Sequence, residues 1–147
     1  MKINDAGLKI IKSCEGLVLM VYPDPGTKAR PYTAGYGHAG KDVQSMKIGD
    51  PITEAQADAW LLQDLSSVEA AVTHYLGPTS VTENQFSALV SFAYNIGSWA
   101  TTTLFQLVKA GQPKTAANHF PLYCTAAGHT LPGLLKRRKL EQALFNS

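Results

Sequence analysis

The spacing of apolar and polar residues predicts helices at both ends of the chain and a small sheet after the first helix. Apolar residues recur at helical intervals from residue 4 to residue 15, where Asn4 or Asp5 can cap the helix and Gly16 can end it. Alternating apolar residues then precede the turn sequence PDPG and the Tyr-, Thr- and Gly-rich run RPYTAGYGHAG. This stretch predicts a short antiparallel sheet with sharp turns.

Two helices in the middle of the chain begin with the same polar signature. Thr53 and Gln56 stand in capping-box spacing before a long segment with a helical apolar period, which can link two lobes. Thr82 and Gln85 repeat the spacing before FSALVSFAYNIG. That segment is apolar on nearly every side, so it is predicted to lie in a core.

The remainder of the chain is predicted to be helical. Ser98 can cap a helix that ends at Gly111, a short helix follows Pro113, and a final amphipathic helix starts near Pro132. The fold class is therefore α+β and mainly α. The prediction is one domain, 1–147, with a sheet lobe at about 15–52, a connecting helix at about 53–76, and a helical lobe at about 77–147 that helix 4–15 packs near.

Composition and charge restrict the class of protein. The 147 residues suit one domain, and no apolar run is long enough for a membrane span. The first residues, MKINDAGLKIIKSCEG, lack an uninterrupted apolar stretch and a cleavage site. We therefore expect this segment to be part of the mature fold rather than a signal peptide, and the protein to start in the cytosol. A net charge of +2 attracts phosphate weakly. The basic cluster KRRK with Arg137 and Arg138 is predicted to be a solvated helix face, and attraction to an anionic surface is the alternative. Neither Cys14 and Cys124 nor the histidines show ligand spacing, so no metal is expected.

The stretch CEGLVLMVYPDPGTKARPYTAGYGH carries two carboxylates in different settings. Glu15 is predicted to end the first helix against Leu17 and Leu19, where unpaired carbonyls and burial disfavour its ionised form and suit a general acid. Asp24 lies in a proline-glycine turn that favours ionisation, and Thr33 can hold a water. Two such carboxylates are typical of glycoside hydrolysis. The alternatives are that Glu15 is a surface charge, Asp24 only a turn former and Thr33 an ordinary strand residue.

This stretch, followed in order by ITEAQADAWLLQDL, QFSALVSFAYNIG and LPGLLKRRKLEQALF, resembles the phage-type lysozymes, the endolysins of glycoside hydrolase family 24. The resemblance covers nearly the whole chain. It implies a two-lobed fold and cleavage of the β-1,4 bond between N-acetylmuramic acid and N-acetylglucosamine in peptidoglycan. Glu15 matches the family's acid, Asp24 its second carboxylate and Thr33 its catalytic-centre threonine. A water between Asp24 and the sugar would give an inverting enzyme with carboxyl groups about 6.5 to 9.5 Å apart.

The resemblance also implies partners and binding residues. We expect peptidoglycan as substrate, a holin that releases the enzyme from the host cytoplasm to the wall in the periplasm, no cofactor, no nucleic acid, and a monomer. His38 is predicted to face Asp64 and to join the two lobes. The positions that resemble the family's sugar groove are Tyr94, Asn95, Thr103 and Asn118, and core packing is an equal alternative for Tyr94. For Arg137 and Arg138, support of this groove or contact with peptidoglycan carboxylates is the alternative to a solvated helix face.

Three other functions are compatible with parts of the sequence. A lytic transglycosylase also uses a glutamic acid, but its reaction needs no positioned water, so Asp24 and Thr33 argue against it. A catalytically silent wall-binding module would bind peptidoglycan without degrading it. A basic nucleic-acid binder is disfavoured because the chain has no wide basic stripe.

Overall fold

The computed structural model describes all residues, 1–147, as seven α-helices and two two-stranded antiparallel sheets. The predicted mainly α fold with a small antiparallel sheet is confirmed. None of the helices combines the length and apolar character that crossing a membrane requires. The elements are α1 (Asp5–Glu15), β1 (Val18–Tyr22), β2 (Thr33–Gly35), α2 (Lys41–Gln44), α3 (Glu54–Leu76), α4 (Glu83–Asn95), α5 (Thr103–Lys109), α6 (Pro113–Ala117), β3 (Thr125–Ala126), β4 (His129–Thr130) and α7 (Pro132–Phe145), with 3-10 turns at Trp99–Thr101 and Phe120–Leu122.

The chain divides into two compact units, residues 15–66 and residues 1–14 with 67–147. In the unit 15–66, β1 and β2 form an antiparallel ribbon in which Tyr22 lies opposite Thr33. Gly35 ends β2 with a φ of +67°, and a Cβ at this position would meet the Ala57 Cβ at 3.0 Å. Glycine is needed here both for the backbone angle and for the close approach of α3.

The unit of residues 1–14 and 67–147 has a core built around α4. Every residue of α4 from Phe86 to Ala93 is buried, as its apolar sequence predicts, and α4 packs against α7. Phe92 meets the rings of Phe120 and Tyr123 edge-to-face, at centroid distances of 5.7 and 5.1 Å. Such pairs add about 0.5 to 1.5 kcal/mol each beyond the burial of apolar area.

Most helix starts follow the predicted caps. Asn4, one of the two candidates for the first helix, is the cap, because its Oδ1 accepts the Gly7 N–H at 3.0 Å. Thr82 and Gln85 form the complete capping box before α4. Together these bonds satisfy N–H groups that a helix start would otherwise leave unpaired.

Three details differ from the sequence-based expectation. The prediction of a helix start at Ser98 is wrong: a 3-10 turn follows Ser98, and Thr102 caps α5 by accepting from the Phe105 N–H. The helix α2 and the hairpin of β3 and β4 were not predicted. Both are very short, so neither extends over enough residues to give a recognisable apolar period.

Candidate active site

Glu15 is the last residue of α1, where the sequence predicted it. Gly16 follows with a φ of +75°, a left-handed conformation that ends helices and favours glycine. The predicted burial of Glu15 is wrong: its side chain is exposed, and Leu17 and Leu19 beside it are 37% and 45% exposed. Leu17 directly precedes β1, and Leu19 lies in the exposed first part of that strand, so neither leucine belongs to a core.

Asp24 lies two residues after β1, in a turn that it stabilises itself. Its Oδ1 accepts hydrogen bonds from the backbone N–H groups of Gly26 and Thr27, both at 2.9 Å, and from the Thr27 hydroxyl at 3.3 Å. The Thr27 N–H is the main cause that lowers the pKa of Asp24, although partial burial acts in the opposite direction. None of these bonds uses Oδ2. Asp24 is therefore both a turn former and an ionised carboxylate with one oxygen outside the turn.

Thr33 begins β2 and is half-buried. The pairing of Tyr22 with Thr33 places the end of β1 beside the start of β2, so Asp24 and Thr33 lie at the same end of the ribbon. Glu15 precedes the other end of β1 in the chain. Glu15 and Asp24 thus flank β1 in the chain, Thr33 begins β2, and all three predicted catalytic residues belong to the unit 15–66. Their roles in catalysis stay predictions.

The predicted groove residues are spread over several elements of the other unit. Tyr94 and Asn95 end α4, the first half-buried and the second exposed, while Thr103 starts α5 and Asn118 follows α6, both exposed. A cavity of about 390 Å³ is lined by Asn95 and not by the other three residues. The other lining residues are Ile96, Leu122, Tyr123, Thr125 and Leu134.

The prediction that Arg137 and Arg138 form a solvated helix face is wrong. They are 3% and 0% exposed, and both donate hydrogen bonds to Glu141, which is also fully buried. Only the flanking Lys136 and Lys139 of this basic cluster are exposed. The spacing of each arginine to Glu141, four and three residues, was a signal for ion pairs on one helix face.

His38 makes the predicted contact with Asp64 and a second one that the sequence analysis missed. Its Nδ1 lies 2.9 Å from both Asp64 oxygens, and its Nε2 lies 2.9 Å from Asp42 Oδ1. The imidazole ring stacks on the Trp60 ring, with 4.8 Å between the ring centroids. Burial lowers the pKa of His38, but the hydrogen bonds that it donates to Asp64 and Asp42, together with their negative charges, outweigh this effect, so the pKa is raised. The expectation that His38 joins two lobes is wrong, since these residues all belong to the unit 15–66.

Comparison with known proteins shows similarity along the whole chain. The phage lysozyme family model matches residues 12–141. The endolysin of Acyrthosiphon pisum secondary endosymbiont phage 1 is 37% identical, over 100% of this chain and 99% of its own length. The endolysin of Bacillus phage PZA is 42% identical over 100% of this chain but 56% of its own length, so the chain spans about half of that relative. Among solved structures, the muramidase domain of SpmX from Asticaccaulis excentricus superposes with a TM-score of 0.86 at 34% identity, covering 99% of this chain and 98% of that domain.

Proposed function

This chain belongs to the phage lysozyme family, and we propose that it is a muramidase that degrades peptidoglycan during phage-induced host lysis. The bond cleaved is the β-1,4 bond between N-acetylmuramic acid and N-acetylglucosamine. The observation that carries the proposal is the arrangement on the β1–β2 ribbon, in a chain of this family. An exposed Glu15 precedes the ribbon, and an ionised Asp24 shares one end of it with Thr33.

In the proposed reaction Glu15, in its protonated form, donates a proton to the glycosidic oxygen as the bond from the anomeric carbon to that oxygen breaks. A water attacks the anomeric carbon from the opposite face and loses a proton to Asp24. The Asp24 oxygen that takes the proton is Oδ2, because Oδ1 already accepts three hydrogen bonds. The Thr33 hydroxyl holds the water by a hydrogen bond. The new hydroxyl has the opposite anomeric configuration, so the enzyme is inverting.

The proposal assigns substrate contacts and a place of action as well. Tyr94, Asn95, Thr103 and Asn118 contact the sugars through an aromatic face, amides and a hydroxyl. The enzyme acts as a monomer without a cofactor. By analogy with phage endolysins, it is made in the host cytoplasm and reaches the periplasmic wall after a holin permeabilises the membrane.

Product analysis on purified peptidoglycan tests the reaction directly. A muramidase adds one water per bond broken and leaves a reducing N-acetylmuramic acid end, which mass spectrometry detects after borohydride reduction. A lytic transglycosylase would leave 1,6-anhydro ends and add no water, and a silent binding module would release nothing. Either result refutes the proposed reaction. Proton NMR early in the digestion tests inversion, since an inverting enzyme first releases the α anomer.

Substitution of Glu15 tests the role of the acid. Glu15→Gln keeps the size of the side chain but cannot deliver a proton, so activity is expected to fall by about 10² to 10⁴-fold. Glu54→Gln, an exposed glutamate at the start of α3, is the matched control and should keep full activity. Equal wall clearing by the two variants would remove Glu15 from the mechanism.

Release by a holin is tested by expression in a bacterial host. Cells that make the chain alone should remain intact and lyse when chloroform or a co-expressed holin permeabilises the inner membrane. Lysis by the chain alone, at the same protein level, would contradict the need for a permeabilising partner.

A further inference from the structure

A cluster of buried charges adjoins the carboxyl end of α4. The carboxylate of Glu141 accepts hydrogen bonds from Ser91 Oγ at 2.7 Å and from Arg137 Nε at 3.1 Å. It also accepts from Arg138 Nη1 at 2.7 Å. The other terminal nitrogen of Arg138, Nη2, donates to Oδ1 of Asn95. A continuous chain of hydrogen bonds therefore leads from a buried carboxylate to an exposed amide.

The guanidinium of Arg138 determines which way the Asn95 amide faces. Arginine has only donors, so it pairs with the amide oxygen of Asn95 and not with the amide nitrogen. Arg138 has little freedom to move, because Glu141 holds one nitrogen and the Phe92 ring lies under Cζ at 4.7 Å. With Oδ1 engaged, Nδ2 of Asn95 is presented as a donor on the exposed side of the residue.

Asn95 lines the cavity of about 390 Å³ described above. That volume falls in the range of small-molecule sites, which combine apolar walls with a few placed polar groups. Ile96, Leu122 and Leu134 supply the apolar part of the wall, and the polar side chains that line the cavity are those of Asn95, Tyr123 and Thr125. An amide donor in this place is able to pair with an acceptor oxygen of a ligand.

The stability of the fold does not by itself account for these buried charges. Burial lowers the pKa of Arg138 and raises the pKa of Glu141, although the two charges attract each other. A buried ion pair often stabilises a fold no better than apolar side chains of the same volume. Holding an exposed polar group in one orientation is a use that apolar side chains cannot provide.

We propose that Arg138 is a positioning residue for substrate binding. Held by Glu141, it fixes the Asn95 amide so that Nδ2 donates to an acceptor oxygen of the glycan. The inference rests on the proposed function, because it takes the ligand to be peptidoglycan. Asn95 touches the sugar, and Arg138 acts only through Asn95.

Steady-state kinetics on soluble, uncross-linked glycan strands tests the inference. Arg138→Met removes the donor and leaves Glu141 paired with Arg137, and Arg138→Lys keeps the charge without the fork. Both should raise KM by about three- to tenfold with kcat nearly unchanged, as expected for the loss of one hydrogen bond made equally in the ground and transition states. Asn95→Ala should do the same, and the double variant Asn95→Ala with Arg138→Met should be no worse than Asn95→Ala alone. Lys139→Met, exposed on the same helix, is the matched control and should not change KM.

A merely structural role for Arg138 predicts different kinetics. It would lower the melting temperature and the fraction of active enzyme, so kcat would fall while KM stayed constant, and that result would overturn the inference. Asn95→Asp provides a test that does not depend on folding without Arg138, because a carboxylate still accepts from Arg138 but has no N–H donor. An unchanged KM in Asn95→Asp overturns the inference and leaves the proposed function intact. A wild-type chain that releases no product overturns both.

Discussion

Replacing His38 with asparagine tests whether the histidine stabilises the fold through its charge. The ring nitrogens face two carboxylates, Asp64 at Nδ1 and Asp42 at Nε2, each at 2.9 Å. A neutral imidazole has one N–H and can donate to only one of them, whereas the imidazolium donates to both. Asparagine cannot reach both carboxylates and carries no charge. The variant therefore loses the contacts that only the protonated histidine makes.

The expected size of the effect follows from the exposure of the partners. His38 is 4% exposed and Asp64 is 29% exposed, so this charge-assisted bond is worth about 1.5 to 3 kcal/mol. Asp42 is 48% exposed, and solvent screening reduces its bond to at most about 1 kcal/mol. A combined loss of about 1.5 to 4 kcal/mol lowers the melting temperature of a chain of this size by roughly 3 to 16 °C.

The pH dependence has a defined sign. Because the pKa of His38 is raised on folding, its contribution is complete below the unfolded value of about 6.5 and disappears as the pH rises through the folded value. Burial raises the pKa of Asp42, but the hydrogen bond with His38 and the backbone hydrogen bonds lower it by more, so the pKa of Asp42 is lowered overall. The Asp42 contribution is therefore complete above the unfolded pKa and disappears as the pH falls through the lowered one. The charge effect is greatest between about pH 4 and pH 6.5.

Thermal unfolding followed by circular dichroism measures the effect near pH 5.5 and near pH 9. His38→Asn should lower the melting temperature more at the lower pH. The control His74→Asn, at an exposed histidine of α3, should leave the melting temperature unchanged at both pH values. At pH 9 the loss of stacking on Trp60, about 1 kcal/mol, should remain. An equal shift at both pH values would refute the ion-pair reasoning. Lost activity with unchanged stability would instead give His38 a catalytic role.

Three further substitutions follow from the structure. Asp24→Asn should lower activity by about 10² to 10⁴-fold, because it removes the proposed base. It should lower the melting temperature less than Asp24→Ala does, because its amide oxygen still accepts from the Thr27 N–H, although without the negative charge that these bonds stabilise; an equal loss of stability in the two variants would contradict this. Thr82→Ala removes the capping box and should cost about 1 kcal/mol in urea unfolding, whereas no change would show that the cap adds nothing. Gly35→Ala should destabilise by more than 1 kcal/mol, on the order of the cost of left-handed backbone plus contact with Ala57, and unaltered unfolding would show that α3 adjusts.

The sequence by itself determined the features that depend on neighbours within a few residues. The Thr82 box, the Asn4 cap and the end of α1 at Glu15 all follow from side chains that bond or strain the backbone locally. The turn at Asp24 is of the same kind, since its oxygen bonds backbone groups two and three residues away. The family resemblance rests on the order of such local segments, which is why fold class could be predicted.

Only the tertiary structure decided which charges are buried and which are exposed. Arg138 looked like part of a solvated cluster, but α7 packs against α4 and places it against Asn95, 43 residues away in the chain. Glu141 likewise accepts from Ser91, 50 residues away. Glu15 shows the reverse case, since its apolar neighbours predicted burial and proved to be exposed. Burial depends on surfaces that distant segments supply, and a local pattern of apolar and polar residues does not specify which segments will meet.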